Sequence, residues 1–343
     1  MKKLSLVLAL IMILSMALPT ASAQDGGSLL DVVKGRGKLV CGVNGQIPGF
    51  SFLDPDTNEM LGFDADFCRV LAAAIFGEVT ADNLEFVMLT ANERFTALQT
   101  GQVDVLFRNT TWTTTRDGDL GIDFGPTTFY DGQGLMVKAD LGVTSITELD
   151  GASICVLTGT TTALNITETM ETLGLAYELV PFEESSQTSA AFEEGRCDAL
   201  TSDQSQLAGL RSGLADPGSA VILSDVISKE PLGPAYIEND SVWGDVVKWS
   251  VFATLTAEEL GIDSTNIDDF LASEDTAVQR FLGIGENPSG SLLGLDNDFA
   301  VNIIRAVGNY AEIYDRNLPP IGLPRGVNAL WSDGGLMYPP AWR

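Results

Sequence analysis

The strongest constraint on this chain is an alternation. Short apolar, β-branched runs take turns with amphipathic stretches that open at capping residues and close at glycine, which is the pattern of β-α-β units around a mostly parallel sheet. Residues 38–43 read as a strand, 64–76 as a helix ended by Gly77, 84–89 as a strand, 92–100 as a helix ended by Gly101, and 103–107 as a strand. A second series has a strand over 152–157, a helix over 162–173 closed by Gly174, and a strand over 177–181. A helix up to Glu194 and a strand over 198–201 complete it. Leu98, Gly101, Asp104 and Asn109 in the first series have the same spacing as Phe192, Gly195, Asp198 and Asp203 in the second. Open α/β sheets bind ligands beyond the carboxyl ends of their strands, so two such series predict two lobes with a cleft between them. Residues 127–138 join the lobes and residues 223–236 lead back, two crossings that can serve as a hinge. The expected division is a leader over 1–23, a first lobe over 24–128, and a second lobe over 129–225 with the hinge crossings at its ends. Residues 226–343 then return to the first lobe and add a C-terminal helical extension.

Composition narrows the chemistry. The 343 residues include no His, which excludes Ser-His-Asp and Cys-His catalysis and His-ligated zinc. Lys plus Arg total 19 against 47 Asp plus Glu, a formal charge of −28 that repels nucleic acid and anionic lipid. Lys2 and Lys3, an apolar run over 4–18 and Ala21-Ser22-Ala23 form the three parts of a secretory leader, with cleavage expected after Ala23. The apolar run is too short for an anchor, and no cysteine follows it to carry a lipid. A soluble, monomeric protein of the periplasm or exterior is the expectation, with no cofactor. In an oxidising compartment the four cysteines pair. Of the three connectivities, Cys41 with Cys68 and Cys155 with Cys197 close modest loops inside one lobe each and are favoured. Each would contribute about 3 to 4 kcal/mol by constraining the unfolded chain.

The loops at the strand ends carry the candidate site. Arg108-Asn109-Thr110-Thr111-Trp112-Thr113-Thr114-Thr115-Arg116 is a run of donors ending in a guanidinium. The fork of Arg116 can hold a carboxylate through two parallel hydrogen bonds, with Thr110 and Thr111 as further donors; pairing with Asp117 on the surface is the alternative. Thr158-Gly159-Thr160-Thr161-Thr162 lies between a strand and a helix, where amides and the helix N-terminus form an anion site. Asp203 stands beyond the next strand, placed either to receive an ammonium or to cap the following helix. Asn44 is a further polar candidate, and Trp112, Phe50 and Phe52 are candidates to wall the cleft or to join the core.

Other passages place the chain beside a known family: 62–68 (GFDADFC), 93–98 (ERFTAL), 108–116, 130–134 (YDGQG), 151–162, 195–198 (GRCD), 229–234 (KEPLGP), 300–304 (AVNII) and Leu330-Trp331. Over nearly its whole mature length the chain resembles the polar amino-acid solute-binding proteins of ATP-driven importers, and most closely their general L-amino-acid branch. The resemblance implies a periplasmic binding protein-like fold that closes on one free L-amino acid and delivers it to an ABC transporter permease. It also implies that Arg116 holds the α-carboxylate, helped by Thr111 and by the amides of Thr160 and Thr161, and that Asp203 receives the α-ammonium. Asn109 belongs to the same set. Ile47 stands where narrower relatives have an aromatic residue, and Asn44 replaces an acidic one, so a broad side-chain pocket is expected.

The expected alternative is a secreted enzyme on the same scaffold, such as a cyclohexadienyl dehydratase-like lyase, with Glu183, Glu184 or Tyr130 as acid or base. Phe299, Ile303, Val307, Tyr310 and Tyr314 recur at helical spacing behind Asp296 or Asn297, predicting one amphipathic helix packed on the first lobe.

Overall fold

Residues 27–286 and 288–343 are described by a computed structural model; the leader expected over 1–23 lies outside them. The first lobe is built on a five-stranded sheet in the order Leu84–Met88, Leu39–Val43, Val105–Leu106, Ala235–Ile237, Ile122–Phe124. The second is built on Tyr177–Phe182, Ala152–Leu157, Ala199–Asp203, Gln133–Lys138, Ala220–Ile222. In each sheet the first two pairings are parallel and the last two antiparallel. The parallel pairings come from the β-α-β units legible in the sequence. Gln133–Lys138 and Ala235–Ile237 are the first strands after each crossing between lobes, and both insert antiparallel, so the sheets are more mixed than the alternation alone predicts. The crossings themselves pair as a two-stranded antiparallel ribbon, Phe129–Asp131 with Glu230–Leu232, which sets Asp131 opposite Glu230.

Local chemistry explains the element ends that matter for the site. Thr160 caps the Thr161–Leu173 helix by accepting the amide of Ala163, and Gly174 closes it in a left-handed conformation (φ 68°). Gly77 (φ 79°) closes the Phe63–Phe76 helix in the same way, at the positive φ that a side chain disfavours. The Phe63–Phe76 helix is buried around nearly its whole circumference. It lies between the first sheet and the helices Ser241–Glu259 and Phe299–Ala306. Phe63 meets Phe67, Phe129, Tyr310 and Tyr314 edge-on with ring centroids 5.0–6.1 Å apart. Burying each such ring stabilises the lobe by about 2–3 kcal/mol.

The C-terminal stripe forms two helices, where the sequence predicts one. Phe299–Ala306 and Tyr310–Asn317 are separated at Gly308 (φ 101°), and Asn309 with Glu312 makes a capping box that starts the second. Both still pack on the first lobe, because the apolar spacing survives the break. Disulfides join Cys41 to Cys68 (Cα–Cα 6.0 Å) and Cys155 to Cys197 (5.6 Å). The first ties a strand of the first sheet to the Phe63–Phe76 helix, and the second ties a strand of the second sheet to the loop before Ala199–Asp203.

Candidate functional site

The carboxyl ends of both sets of parallel strands face one narrow crevice. From the first lobe its wall takes Arg94, Arg108, Asn109 and Thr111. From the second come the threonine turn at 160–162, Asp203 and Gln206. The 106–111 loop leaves the sheet through Asn109, whose φ of 34° places it in the left-handed region. The Asn109 amide donates to Asp64 Oδ2 (2.8 Å), and its side-chain amide donates across the cleft to Gln206 Oε1 (3.0 Å). Asn can hold this strained backbone because local hydrogen bonds repay it.

Two buried polar atoms in this wall have no hydrogen-bond partner, Arg94 Nε and Asp203 Oδ1. They belong to opposite lobes. Leaving such groups unsatisfied costs about 1–3 kcal/mol each, more when they are charged, so a charged pair facing one crevice calls for a partner. Asp203 is 5% exposed. Burial, then the neighbouring carboxylates of Asp131 and Glu230, push its carboxyl well above the usual range. Although Asp203 sits at the start of the Gln204–Ser212 helix, its side chain makes no capping bond, so the cap alternative is not realised. A positive group beside it would restore the charged form.

Three guanidinium groups oppose it. Burial, then repulsion from Arg116 and Arg108, holds Arg94 well below the ordinary arginine range. Arg108 is lowered to about 10 by burial, and its Nε donates to the carbonyl of Leu89 (2.9 Å). Arg116 is also buried, and its Nη1 donates to the carbonyl of Thr111 (2.8 Å). Arg94 and Arg116 lie over the same ring, Phe95, at 4.8 and 5.1 Å. Arg94 and Arg108 reach the crevice wall, whereas Arg116 stands one layer back, beside Thr111. No carboxylate lies within ion-pair distance of any of the three among the described residues.

The threonine turn offers amides more than hydroxyls. Thr160 Oγ1 donates to the carbonyl of Leu157 (2.7 Å) and accepts from Ala163, and Thr161 Oγ1 donates to Glu230 Oε2 (3.0 Å). First-turn N–H groups lack intrahelical acceptors and carry the positive end of the helix dipole, so this turn presents positive potential to the crevice.

Several residues singled out in the sequence lie elsewhere. Thr110 is fully buried and its hydroxyl bonds the carbonyl of Arg108 (2.9 Å), because the loop turns it inward. Trp112 is 43% exposed and stacks on Phe124 at 5.9 Å, so it does not wall the cleft. Asn44 is buried and bridges the lobes to Ser185 (3.3 Å), whose hydroxyl also accepts from Gln206 of the wall (3.4 Å). Phe50 belongs to the aromatic core and Phe52 is half-buried outside the wall. Ile47 is buried beside Gly209 of the second lobe. Glu183 and Glu184 engage amides of the first lobe at the rim. Arg94 and Gln206 were not assigned roles from sequence; Arg94 lies in the 93–98 passage, but its direction depends on how the Arg94–Gln99 helix sits beside the cleft. No cluster of potential metal ligands occurs among the described residues, and no described helix is long and apolar enough to cross a membrane.

Residues 39–148 match the family described as bacterial extracellular solute-binding proteins, family 3. The chain is 47% identical over 327 residues to the general L-amino acid-binding periplasmic protein of Rhizobium johnstonii, covering 94% of this chain and 95% of that one. It is 46% identical to the glutamate/glutamine/aspartate/asparagine-binding protein of Rhodobacter capsulatus, over 92% and 94%. A solved ABC transporter periplasmic binding protein from Brucella ovis with glutathione bound superposes with a TM-score of 0.89 at 46% identity, covering 92% of this chain and 99% of that one.

Proposed function

The chain belongs to the bacterial extracellular solute-binding proteins of family 3, and from that premise we propose that it is the capture component of an ABC importer. It takes free L-amino acids outside the cytoplasm and delivers them to a membrane permease, working as a monomer that is exported by its cleaved leader. The relatives named above are binding proteins, not enzymes, and Glu183 and Glu184 have no place at the crevice wall for acid-base work.

The observation that carries this reading is the pair of unpartnered buried atoms, one cationic and one anionic, on opposite sides of one crevice. A zwitterion satisfies both at once whatever its side chain. Arg94, backed by Arg116 over the same Phe95 ring, receives the α-carboxylate with Thr111 and the amides at 160–162, and Asp203 with Asn109 receives the α-ammonium. Closure expels water and strengthens both contacts in the low dielectric. Glutathione carries the same α-amino-acid head on its γ-glutamyl residue, so one clamp serves it as well. Denaturing the purified protein and identifying any released molecule by mass spectrometry tests the reading, together with calorimetric titration of the free amino acids and glutathione. Failure of every L-amino acid to bind, or tight binding of a neutral sugar, would refute it.

A further inference from the structure

Neither side chain of the acidic pair Glu183-Glu184 lines the crevice, and Glu184 reaches the clamp only through its charge on Arg108. The pair occupies the loop between the Tyr177–Phe182 strand and the Ser185–Glu193 helix of the second lobe. Two amide side chains of the first lobe grip it. Gln46 Nε2 donates to Glu184 Oε2 (2.7 Å), and Gln46 Oε1 accepts the amide of Ser186 (3.0 Å). Asn92 Nδ2 donates to Glu183 Oε2 (2.6 Å) and to Thr158 Oγ1 (2.8 Å). Glu184 holds the position that caps its helix yet makes no capping bond, so its carboxylate is spent across the lobes. Gln46, Asn92, Glu183 and Glu184 all lie outside the crevice wall.

Two glycines let these contacts form. A Cβ on Gly209, in the Gln204–Ser212 helix, would stand 2.5 Å from the carbonyl oxygen of Pro48 in the first lobe. A Cβ on Gly159 would collide with the side-chain oxygen of Asn92. The lobes therefore meet at backbone distance next to the two grips.

We propose that Glu183-Glu184, gripped by Gln46 and Asn92 and admitted by Gly209, is a closure latch that sets the closed fraction of the protein and so scales affinity equally for every ligand. It rests on the proposed capture function. The apparent Kd is the intrinsic Kd divided by the binding-competent fraction, so a residue acting only on closure changes all ligands by one factor. A residue that touches the ligand changes them unequally.

The test compares the parent with E183A/E184A, Q46A/N92A, the quadruple variant and Gly209→Ala. Calorimetry with L-glutamine and L-leucine gives Kd, and small-angle scattering without added amino acid gives the radius of gyration. Each double variant is expected to raise both Kd values by the same factor, about twofold to tenfold. The quadruple variant is expected to be no weaker than the double ones, because one latch is lost once. Gly209→Ala, which presses a methyl on backbone, is expected to cost about tenfold or more, and every variant is expected to have a larger radius of gyration. Kd ratios near one, or factors that differ between the two ligands by more than threefold, would overturn the latch. If the parent binds neither amino acid, the capture reading fails, and scattering decides the latch alone: curves identical to the parent's would refute it.

Discussion

Replacing Asp203 by Asn keeps the shape of the side chain and removes its charge. In the parent the carboxylate is almost fully buried, with one oxygen unpartnered and the other 3.5 Å from Asn109 Nδ2. Removing one member of a buried charge pair costs about 2–5 kcal/mol of binding free energy. The low end applies here, because Asp131 and Glu230 remain close enough to influence this carboxyl and Asn still accepts a hydrogen bond. A loss of about 2–3 kcal/mol is roughly 30- to 150-fold in Kd. Calorimetry with an amino acid and with its deaminated carboxylic acid separates charge from shape: the parent should strongly prefer the amino acid, and Asp203→Asn should lose most of that preference. There is also a proton signature. Burial and the neighbouring carboxylates raise the free-state pKa of Asp203, whereas a bound ammonium lowers it, so binding releases a proton in that window and affinity falls as pH drops through the free-state value. Asp203→Asn should have the shallower pH slope. Kd within threefold of the parent, or equal pH slopes, would refute the assignment of Asp203 to the ammonium.

The same geometry makes further demands. Arg94→Met should weaken amino-acid binding by about 30-fold or more, since it removes a buried charge that faces the crevice; titration giving parental Kd would exclude Arg94 from the carboxylate site. Trp112→Ala and Thr110→Val should leave Kd within threefold, because neither side chain reaches the wall, and a larger loss would place one of them there. Burial pushes Asp64 up from 3.8 to about 7, so the folded state holds a proton that the unfolded state has released between those values. Its ionisation therefore costs stability as pH rises from about 4 to about 7, by at most about 4 kcal/mol. Asp64→Asn should gain stability over the parent across that range and level off above it, whereas a pH-independent difference would contradict this. Reducing both disulfides should lower the melting temperature by about 10 °C or more, from about 4 kcal/mol of chain entropy for each loop; scans with and without reductant would show it.

The candidate site was partly legible in the sequence because its residues sit at strand ends, where local signals are strong. Glycines marked the ends of the helices and the apolar runs marked the strands, so Asn109, Thr111, Thr160 and Asp203 could be placed at a ligand-binding edge by counting alone. Arg116 was legible as a donor but not its depth, since the carbonyl that engages it belongs to a turn of the same loop. For Trp112 and Phe50 the sequence left wall and core open for a related reason: an apolar side chain beside a strand end packs wherever a neighbouring element leaves space, and sequence does not say which side that is.

Local chemistry in the amino-acid order, without any contact between distant segments, determined two repeated α/β series, two crossings, an acidic chain without histidine and one charged residue of each sign near the strand ends. Those properties depend on spacing, capping and composition, which act over a few residues. Only the tertiary structure decided that Arg94 reaches the crevice, that Asp131 and Glu230 crowd Asp203 from the hinge, and that Glu183-Glu184 meets Gln46 and Asn92. Each of these joins residues from different elements, and how far apart two such groups finally lie depends on how whole lobes pack, which no local rule encodes.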